Sequence, residues 1–173
     1  MERIVIIGNS GSGKSSLARR LSDRFASPVI HLDGLFWEPG GFNRKRPQEV
    51  VFAEIATLAT GQRWIVEGVF GELAQAFLPN ADLLLWLNLD WESCRQGLLH
   101  RGSESSKQRD PQSAEENFNK LLQWASAYWQ RDDARSFQGH QELFAQFGGD
   151  KHSFTSRAAV DEFVASLVSS TPL

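Results

Sequence analysis

Cysteine and long apolar runs are almost absent from this chain of 173 residues, in which Cys94 is the single cysteine. One cysteine excludes a disulfide framework within the chain and a zinc site built from several thiolates. No apolar stretch reaches the roughly 18 residues that a membrane-spanning helix needs, so we expect no membrane partner. No signal peptide is recognisable. We therefore expect a protein of the reducing cytoplasm.

Basic residues are too few to form a long positive stripe. The chain has 18 Lys and Arg against 21 Asp and Glu, which gives a formal net charge of −3. Proteins that bind nucleic acid usually concentrate positive charge on one face. We therefore do not expect direct nucleic-acid binding. The sequence leaves the oligomeric state open.

A glycine-rich motif near the start of the chain matches G-x-x-x-x-G-K-[ST] without a mismatch. The apolar, β-branched run at 3–7 predicts a buried strand before it, and apolar residues at helical spacing follow it up to Phe25. Strand, glycine loop and helix form the context in which this motif binds phosphate. The residues predicted to bind the nucleotide are Gly8, Asn9, Ser10, Gly11, Ser12, Gly13, Lys14, Ser15 and Ser16.

Each residue type in this motif suits a particular role in binding phosphate. Glycines permit positive φ angles and a close approach of the backbone to a phosphate. Successive N–H groups at the start of a helix then form a concave site for an anion. Lys14 is predicted to bridge the β- and γ-phosphates of ATP and to act in catalysis, and the Ser15 hydroxyl is predicted to bind Mg²⁺. ATP and Mg²⁺ are therefore the expected cofactors.

Strands that alternate with helices predict an α/β fold with a parallel sheet, because the connections are too long for hairpins. The glycine loop then lies at the carboxyl edge of that sheet. A long helical pattern from 114 to about 147 is predicted to break near Gly139. His140 and Tyr128 are expected to have structural roles. Four more strands are predicted at 28–32, 63–67, 82–89 and 151–154.

Two carboxylates end predicted strands at this edge. Asp33 follows the second strand and Glu67 ends the third, so both are expected near Lys14. Asp33 is predicted to be catalytic on the acceptor side, where it would orient a hydroxyl or hold Mg²⁺ through water. Glu67 is predicted to bind Mg²⁺ or the acceptor, since Mg²⁺ takes oxygen ligands. Alternatively, Asp33 caps a turn and Glu67 is an exposed strand end.

The segment at 33–42 is predicted to be a loop, because glycine and proline break regular structure there. Phe36 and Trp37 within it either stack on the ring of an acceptor or pack against a helix predicted at 47–60. Arg44 either clamps an anionic acceptor with its guanidinium group or is solvated.

The glycine loop, the run HLDGLFWEPG at 31–40 and the strand end WIVEG at 64–68 resemble small P-loop proteins related to adenylate kinase, above all those labelled DNA topology modulation proteins. The resemblance covers most of the chain. It implies a single domain with a three-layer P-loop NTPase fold like that of nucleoside monophosphate kinases. That fold has a parallel five-stranded sheet with helices on both faces. The resemblance also implies a substrate-side segment at about 33–60 and a short lid at about 102–130.

The resemblance further implies arginines around the transferred phosphoryl group. Arg101 matches the helix that leads into the lid, and Arg131 and Arg135 match the return from it. Arg101 and Arg131 are therefore predicted to be catalytic. Two adenylate kinase motifs are not matched. Asp132 follows Arg131 without the usual spacer, and the glycine-proline-arginine stretch of the AMP pocket is absent after the third strand.

These observations predict an ATP-dependent kinase that phosphorylates a small acceptor, such as a nucleotide, a nucleoside or another small metabolite. The alternative is a nucleotide-dependent regulator without kinase activity that acts in DNA topology. A GTPase is a weaker possibility, because the Asn-Lys-x-Asp motif that recognises guanine is absent.

Overall fold

The computed structural model describes residues 2–102 and 111–169. Most of the loop predicted at 102–111, which forms the first part of the expected lid, therefore lies outside the described residues. Within the described part of the chain, no helix combines the length and the apolar character needed to cross a bilayer.

One parallel sheet of five strands lies at the centre of the fold, in the order β2-β3-β1-β4-β5. All neighbouring strands run parallel, so they all end at the same edge. The predicted parallel five-stranded sheet is confirmed. The strands are β1 (Arg3–Gly8), β2 (Val29–His31), β3 (Trp64–Gly68), β4 (Leu83–Leu87) and β5 (Asp150–Phe154).

Helices cover both faces of the sheet, as predicted. They connect the strands as the crossovers of a parallel sheet require. The helices are α1 (Lys14–Phe25), α2 (Leu32–Phe36), α3 (Gln48–Leu58), α4 (Gly71–Phe77), α5 (Trp91–Arg101), α6 (Pro111–Ser126), α7 (Phe137–Gln146) and α8 (Arg157–Ser169).

Each face of the sheet buries its own apolar core, because successive residues of a strand point to opposite faces. In β1, Val5 and Ile7 face a core that includes residues of α3, α4 and α7. Ile4 and Ile6 face a second core that includes residues of α1 and α8. This double burial explains why the central strands are apolar almost throughout.

The prediction of a loop at 33–42 is wrong for its first residues, because α2 begins directly after β2. Leu32 and Leu35 are buried one helical turn apart, and the backbone N–H of Trp37 donates to the carbonyl of Asp33 at 3.0 Å. Asp33 therefore lies in the first turn of α2, one residue after position 32, where the second strand is predicted to end.

The predicted helix break near Gly139 is also wrong, because the break falls between α6 and α7. Ser136 begins α7, and its hydroxyl accepts a hydrogen bond from the Gly139 N–H at 3.2 Å. A Cβ atom on Gly139 would lie 2.5 Å from the carbonyl oxygen of Asp133. The glycine therefore allows close packing inside the helix instead of ending it.

A buried chain of hydrogen bonds connects this break to the sheet. His140 Nε2 lies 2.9 Å from the carbonyl of Val69, which can only accept, so this nitrogen carries the proton. Tyr128 then donates its hydroxyl to His140 Nδ1 at 2.8 Å and accepts from the Trp86 indole at 3.2 Å. The expected structural roles of His140 and Tyr128 agree with these contacts.

The buried His140 should make the protein less stable in mild acid. Burial lowers the pKa of His140 from 6.5 to about 4, so the unfolded chain takes up this proton first as the pH falls. The stability is complete above pH 6.5 and should decrease by about 3 kcal/mol towards pH 4. Urea unfolding across this range should show a smaller decrease in His140→Gln than in the wild type. Equal pH dependence in both proteins would contradict this assignment.

Candidate functional site

The glycine loop lies directly on α5. A Cβ atom on Gly11, whose φ is 80°, would be 2.1 Å from the carbonyl oxygen of Cys94, and one on Gly97 would be 2.2 Å from the carbonyl oxygen of Gly11. Gly13 has a left-handed φ of 100° and immediately precedes α1. Glycine is therefore required on both sides of this backbone contact.

Lys14, at the start of α1, is buried beneath the loop. Its ammonium group donates to the carbonyl of Asn9 at 2.8 Å. Burial lowers the pKa of Lys14, while the charges of Glu67 and Asp33 oppose that effect. The Asn9 side chain also donates to the carbonyl of Ala125 at 3.0 Å, so it joins the loop to the end of α6.

The strand-end carboxylate of Glu67 is buried and has two polar partners. Its Oε1 atom accepts from the Ser15 hydroxyl at 3.0 Å and lies 2.6 Å from His31 Nδ1. Burial opposes ionisation of Glu67, but the contacts with His31, Lys14 and Ser15 together hold its pKa below the ordinary value. The hydrogen bond to Glu67 raises the pKa of His31.

Ser15 and Glu67 together suit a hard cation. The described residues include no group of three or more His, Cys, Asp or Glu that could hold a metal ion. Mg²⁺ does not need such a group, because it keeps several waters and takes only one or two carboxylates. A hydroxyl and a carboxylate oxygen 3.0 Å apart at the start of α1 therefore fit this ion.

A cavity of about 880 Å³ opens at this edge of the sheet. Residues of the glycine loop, among them Ser10, Gly11, Gly13 and Ser16, form one part of its wall. The rest of the wall comes from α2 and the segment after it, the end of β3, α5 and α6, together with Arg135 and Arg157. The predicted site residues that line it are Lys14, Ser15, Asp33, Trp37, Glu67 and Arg101.

Asp33 and Lys14 are electrostatic neighbours in this cavity. Asp33 keeps solvent-exposed surface in the cavity, but desolvation by the surrounding protein atoms still raises its pKa, and the positive charge of Lys14 works against the shift. Arg101 at the end of α5 also lowers the pKa of Asp33 through its charge. The structure therefore brings together one carboxylate and two cations that the sequence placed on three separate elements.

Three residues of the glycine loop, Gly8, Asn9 and Ser12, do not line the cavity, and neither do three of the site residues predicted outside the loop. Phe36 stacks on Phe70, with ring centroids 4.4 Å apart, so packing is the role that the structure shows for it. Arg44 is exposed, and its carbonyl accepts from the N–H of Glu38. These placements give no support to the acceptor contacts predicted for Phe36 and Arg44.

Arg131 is the third site residue predicted outside the glycine loop that does not line the cavity. Its guanidinium group pairs with Asp133 at 2.6 Å and lies 3.9 Å from the ring centroid of Trp124. Arg135, four residues later, lines the cavity instead. The placement therefore does not support the catalytic role predicted for Arg131.

Arg157, which sequence reasoning missed, contacts the glycine loop from the start of α8. It donates to the carbonyls of Gly11 at 3.1 Å, Ser12 at 3.4 Å and Ser93 at 3.0 Å, and it lines the cavity. Its partners are backbone atoms, which leave no trace in side-chain patterns. Gly97 was missed for the same reason, whereas His31 could have been noticed from its place at a strand end.

Solved structures with this arrangement of elements exist among kinases. Shikimate kinase from Acinetobacter baumannii, in complex with shikimate, has a TM-score of 0.54 and 14% identity, with 100% of this chain and 96% of that chain covered. The YorR protein of Bacillus subtilis, in complex with phosphorylated GDP, has a TM-score of 0.54 and 15% identity, with 95% and 93% covered. A shikimate kinase from Bacteroides thetaiotaomicron also reaches 0.54, at 14% identity and with 97% and 96% covered.

The sequence comparisons do not identify a family for this chain. Neither the models of protein families nor the curated proteins gave a match. The resemblance to DNA topology modulation proteins therefore stays a prediction. At identities of 14–15% the structural likeness concerns the fold. The chain has the three-layer α/β fold of P-loop kinases, with a parallel five-stranded sheet between two layers of helices.

Proposed function

We propose that this protein is an ATP-dependent kinase that transfers the γ-phosphoryl group to a small acceptor. The observation that carries the proposal is the convergence of Lys14, Ser15, Glu67 and Asp33 on one cavity at the carboxyl edge of the sheet. A glycine loop alone would support phosphate binding. The carboxylates opposite the loop add groups suited to a metal ion and to an acceptor.

The glycine loop and the cations near it would bind the phosphates. Backbone N–H groups at the start of α1 favour anions there, and Lys14 adds a buried positive charge. Arg101 lines the same cavity and would stabilise the charge of the transferring group. Arg157 would act as a positioning residue, because it holds carbonyl groups of the loop.

Ser15 and Glu67 would hold Mg²⁺. The ion supplies positive charge next to the β- and γ-phosphates when it is bound. Glu67 is suited to binding a cation, because its lowered pKa keeps the carboxylate ionised. His31 contacts the same Oε1 atom of Glu67 as Ser15 does and would help to orient that carboxylate.

Asp33 would receive the proton of the acceptor. The acceptor oxygen forms a bond to the γ-phosphorus, and the bond from that phosphorus to the β–γ bridging oxygen breaks, so ADP leaves with the electron pair. The hydroxyl proton moves to the Asp33 carboxylate and from there to water. The raised pKa of Asp33 makes it a better proton acceptor than an aspartate with the ordinary pKa.

Replacement of Lys14 by alanine should abolish phosphoryl transfer and weaken ATP binding at least tenfold, because the charge that bridges the terminal phosphates is lost. Calorimetry would measure binding, and product formation would measure transfer. Thermal unfolding of the variant should show that the fold persists. A folded variant with full ATP affinity would contradict the phosphate site.

Asp33→Asn should leave ATP affinity within a few-fold of the wild type and lower kcat by about a hundredfold or more, because the proton loses its acceptor. The variant is isosteric, so the cavity keeps its shape. Collapse of ATP affinity with normal acceptor kinetics would assign Asp33 to the nucleotide instead. Tight ATP binding by the wild type without transfer to any acceptor would favour the regulator.

Arg157→Met should weaken ATP binding by about five- to tenfold and leave the KM of the acceptor unchanged, because it loosens the glycine loop where the loop contacts α5. Arg157→Lys should recover part of the affinity, since an ammonium group can still donate to one carbonyl. Arg20→Met is the matched control, because Arg20 pairs with Asp161 on the surface. Equal losses for both ligands would indicate general destabilisation instead.

A further inference from the structure

Aromatic rings from three parts of the chain line the cavity. Trp37 and Phe42 come from the segment after α2, Phe70 follows β3, and Phe118 and Trp124 lie on α6. Rings in a cavity wall offer flat apolar surface to a ligand. Phosphates and Mg²⁺ are polar and do not bind to apolar surface, so these rings would contact an apolar part of a bound molecule.

Several of these rings form one cluster beside Asp33. Trp37 lies one helical turn after Asp33 and has its ring centroid 6.3 Å from that of Phe42. Phe36 contacts both Trp37 and Phe70, with centroid distances of 4.7 Å and 4.4 Å. The aromatic cluster therefore adjoins the carboxylate that would receive the proton of the acceptor.

Burial shows that the rings are not merely part of the core. Phe42 is 49% exposed, and Trp37, Phe118 and Trp124 are half-buried. Such large side chains are usually covered when their only role is packing. Their remaining apolar surface borders a cavity, which is where a ligand would cover it.

The segment that carries Trp37 is fixed in place. Trp37 pairs with Lys45 in an antiparallel bridge, and the Arg46 guanidinium group donates to the carbonyl of Leu35 at 3.1 Å. A ligand wall that is already ordered loses little entropy on binding.

The cation in the aromatic cluster, Arg135, has its charge already balanced. Its Nε atom donates to Glu72 Oε1 at 2.8 Å, and its guanidinium group lies 4.5 Å and 4.6 Å from the ring centroids of Phe36 and Phe70. An ion pair held in this way has little net charge left to attract an anion. Arg135 can still donate a hydrogen bond to an uncharged ligand.

Among the residues that the structure describes, the other charges do not form a clamp for an anionic acceptor. Asp33 would repel an acceptor of negative charge. Within the described part of the chain, the positive charges that act on Asp33 are those of Lys14, Arg101 and His31. Lys14 and Arg101 would be occupied by phosphates, and His31 is paired with Glu67. His100 and Lys120 also line the cavity, but both are exposed to solvent, where charge is screened.

We infer that the acceptor is an uncharged alcohol that carries a flat ring, as a nucleoside does, and is neither a sugar acid nor a nucleotide. The ring would lie against the aromatic cluster, with its hydroxyl group directed at Asp33. This inference rests on the proposed kinase function and adds to it the chemical class of the acceptor.

A panel of acceptors tests the inference directly. Nucleosides, their 5′-monophosphates, gluconate, shikimate and glycerol would be incubated with ATP and Mg²⁺, and phosphorylated products would be measured by mass spectrometry. Lys14→Ala provides the blank. We expect kcat/KM for at least one nucleoside to exceed that of the anionic compounds and of glycerol about tenfold or more. Preference for an anionic acceptor, or for glycerol, would overturn the inference.

Trp37→Leu tests the contribution of the ring. The KM of the nucleoside should rise about tenfold while the affinity for ATP stays unchanged, because one stacking surface is lost. Trp129→Leu is the matched control, since Trp129 is also half-buried but does not line this cavity. Equal effects of both substitutions, or no effect of Trp37→Leu, would contradict a ring-binding wall.

Glu72→Gln tests the balanced charge. The substitution keeps the shape of the side chain but leaves the positive charge of Arg135 without its counter-ion. The ratio of kcat/KM for a nucleoside monophosphate to that for the nucleoside should then rise about fivefold or more. An unchanged ratio would show that the Arg135–Glu72 pair does not exclude anions.

The results also separate this inference from the proposed function. Transfer to an anionic acceptor that disappears in Lys14→Ala would support the kinase and overturn the inference. Failure of every acceptor to give a product that depends on Lys14 would overturn both.

Discussion

The contact between the glycine loop and α5 determines the geometry of the whole site. Backbone atoms of Gly11 and Cys94 approach so closely that a Cβ atom on Gly11 would lie 2.1 Å from the Cys94 carbonyl oxygen. Gly97 completes this contact one turn later, and Arg157 donates hydrogen bonds to carbonyls on both segments. This contact holds the loop in shape, and the end of α5 that follows carries Arg101 to the same cavity.

The geometry of the site also depends on the parallel sheet. Because its strands end at one edge, charged residues that are far apart in the sequence lie close together there. His31 and Glu67 are partners in the register of β2 and β3, and Glu67 reaches across to Ser15 at the start of α1. Glu67 is buried, so its contacts with His31 and Ser15 have a large effect on its ionisation. The pKa of Glu67 is lowered although burial alone would raise it.

The proposed phosphate site and the proposed ring-binding wall come from different parts of the fold. Lys14, Ser15 and Glu67 lie on strand ends and on the helix start that the sheet holds rigidly. The aromatic rings that line the cavity lie on connections and on α6, outside the sheet. The loop and α6 remain coupled, because the Asn9 side chain bonds to the Ala125 carbonyl. The sequence of the elements outside the sheet can therefore vary to suit different acceptors, while the residues of the proposed phosphate site stay the same.

Local sequence patterns determined the glycine loop, the strands and the order of the elements, because motif spacing and apolar periodicity act over a few neighbouring residues. They also placed Asp33 and Glu67 at one edge, since parallel strands end together. The short helix α2, the true break before Ser136 and the choice of Arg135 instead of Arg131 for the cavity were decided by the tertiary structure. Their partners are distant side chains and backbone carbonyls, such as those of Glu72 and Gly11, which no local pattern in the sequence encodes.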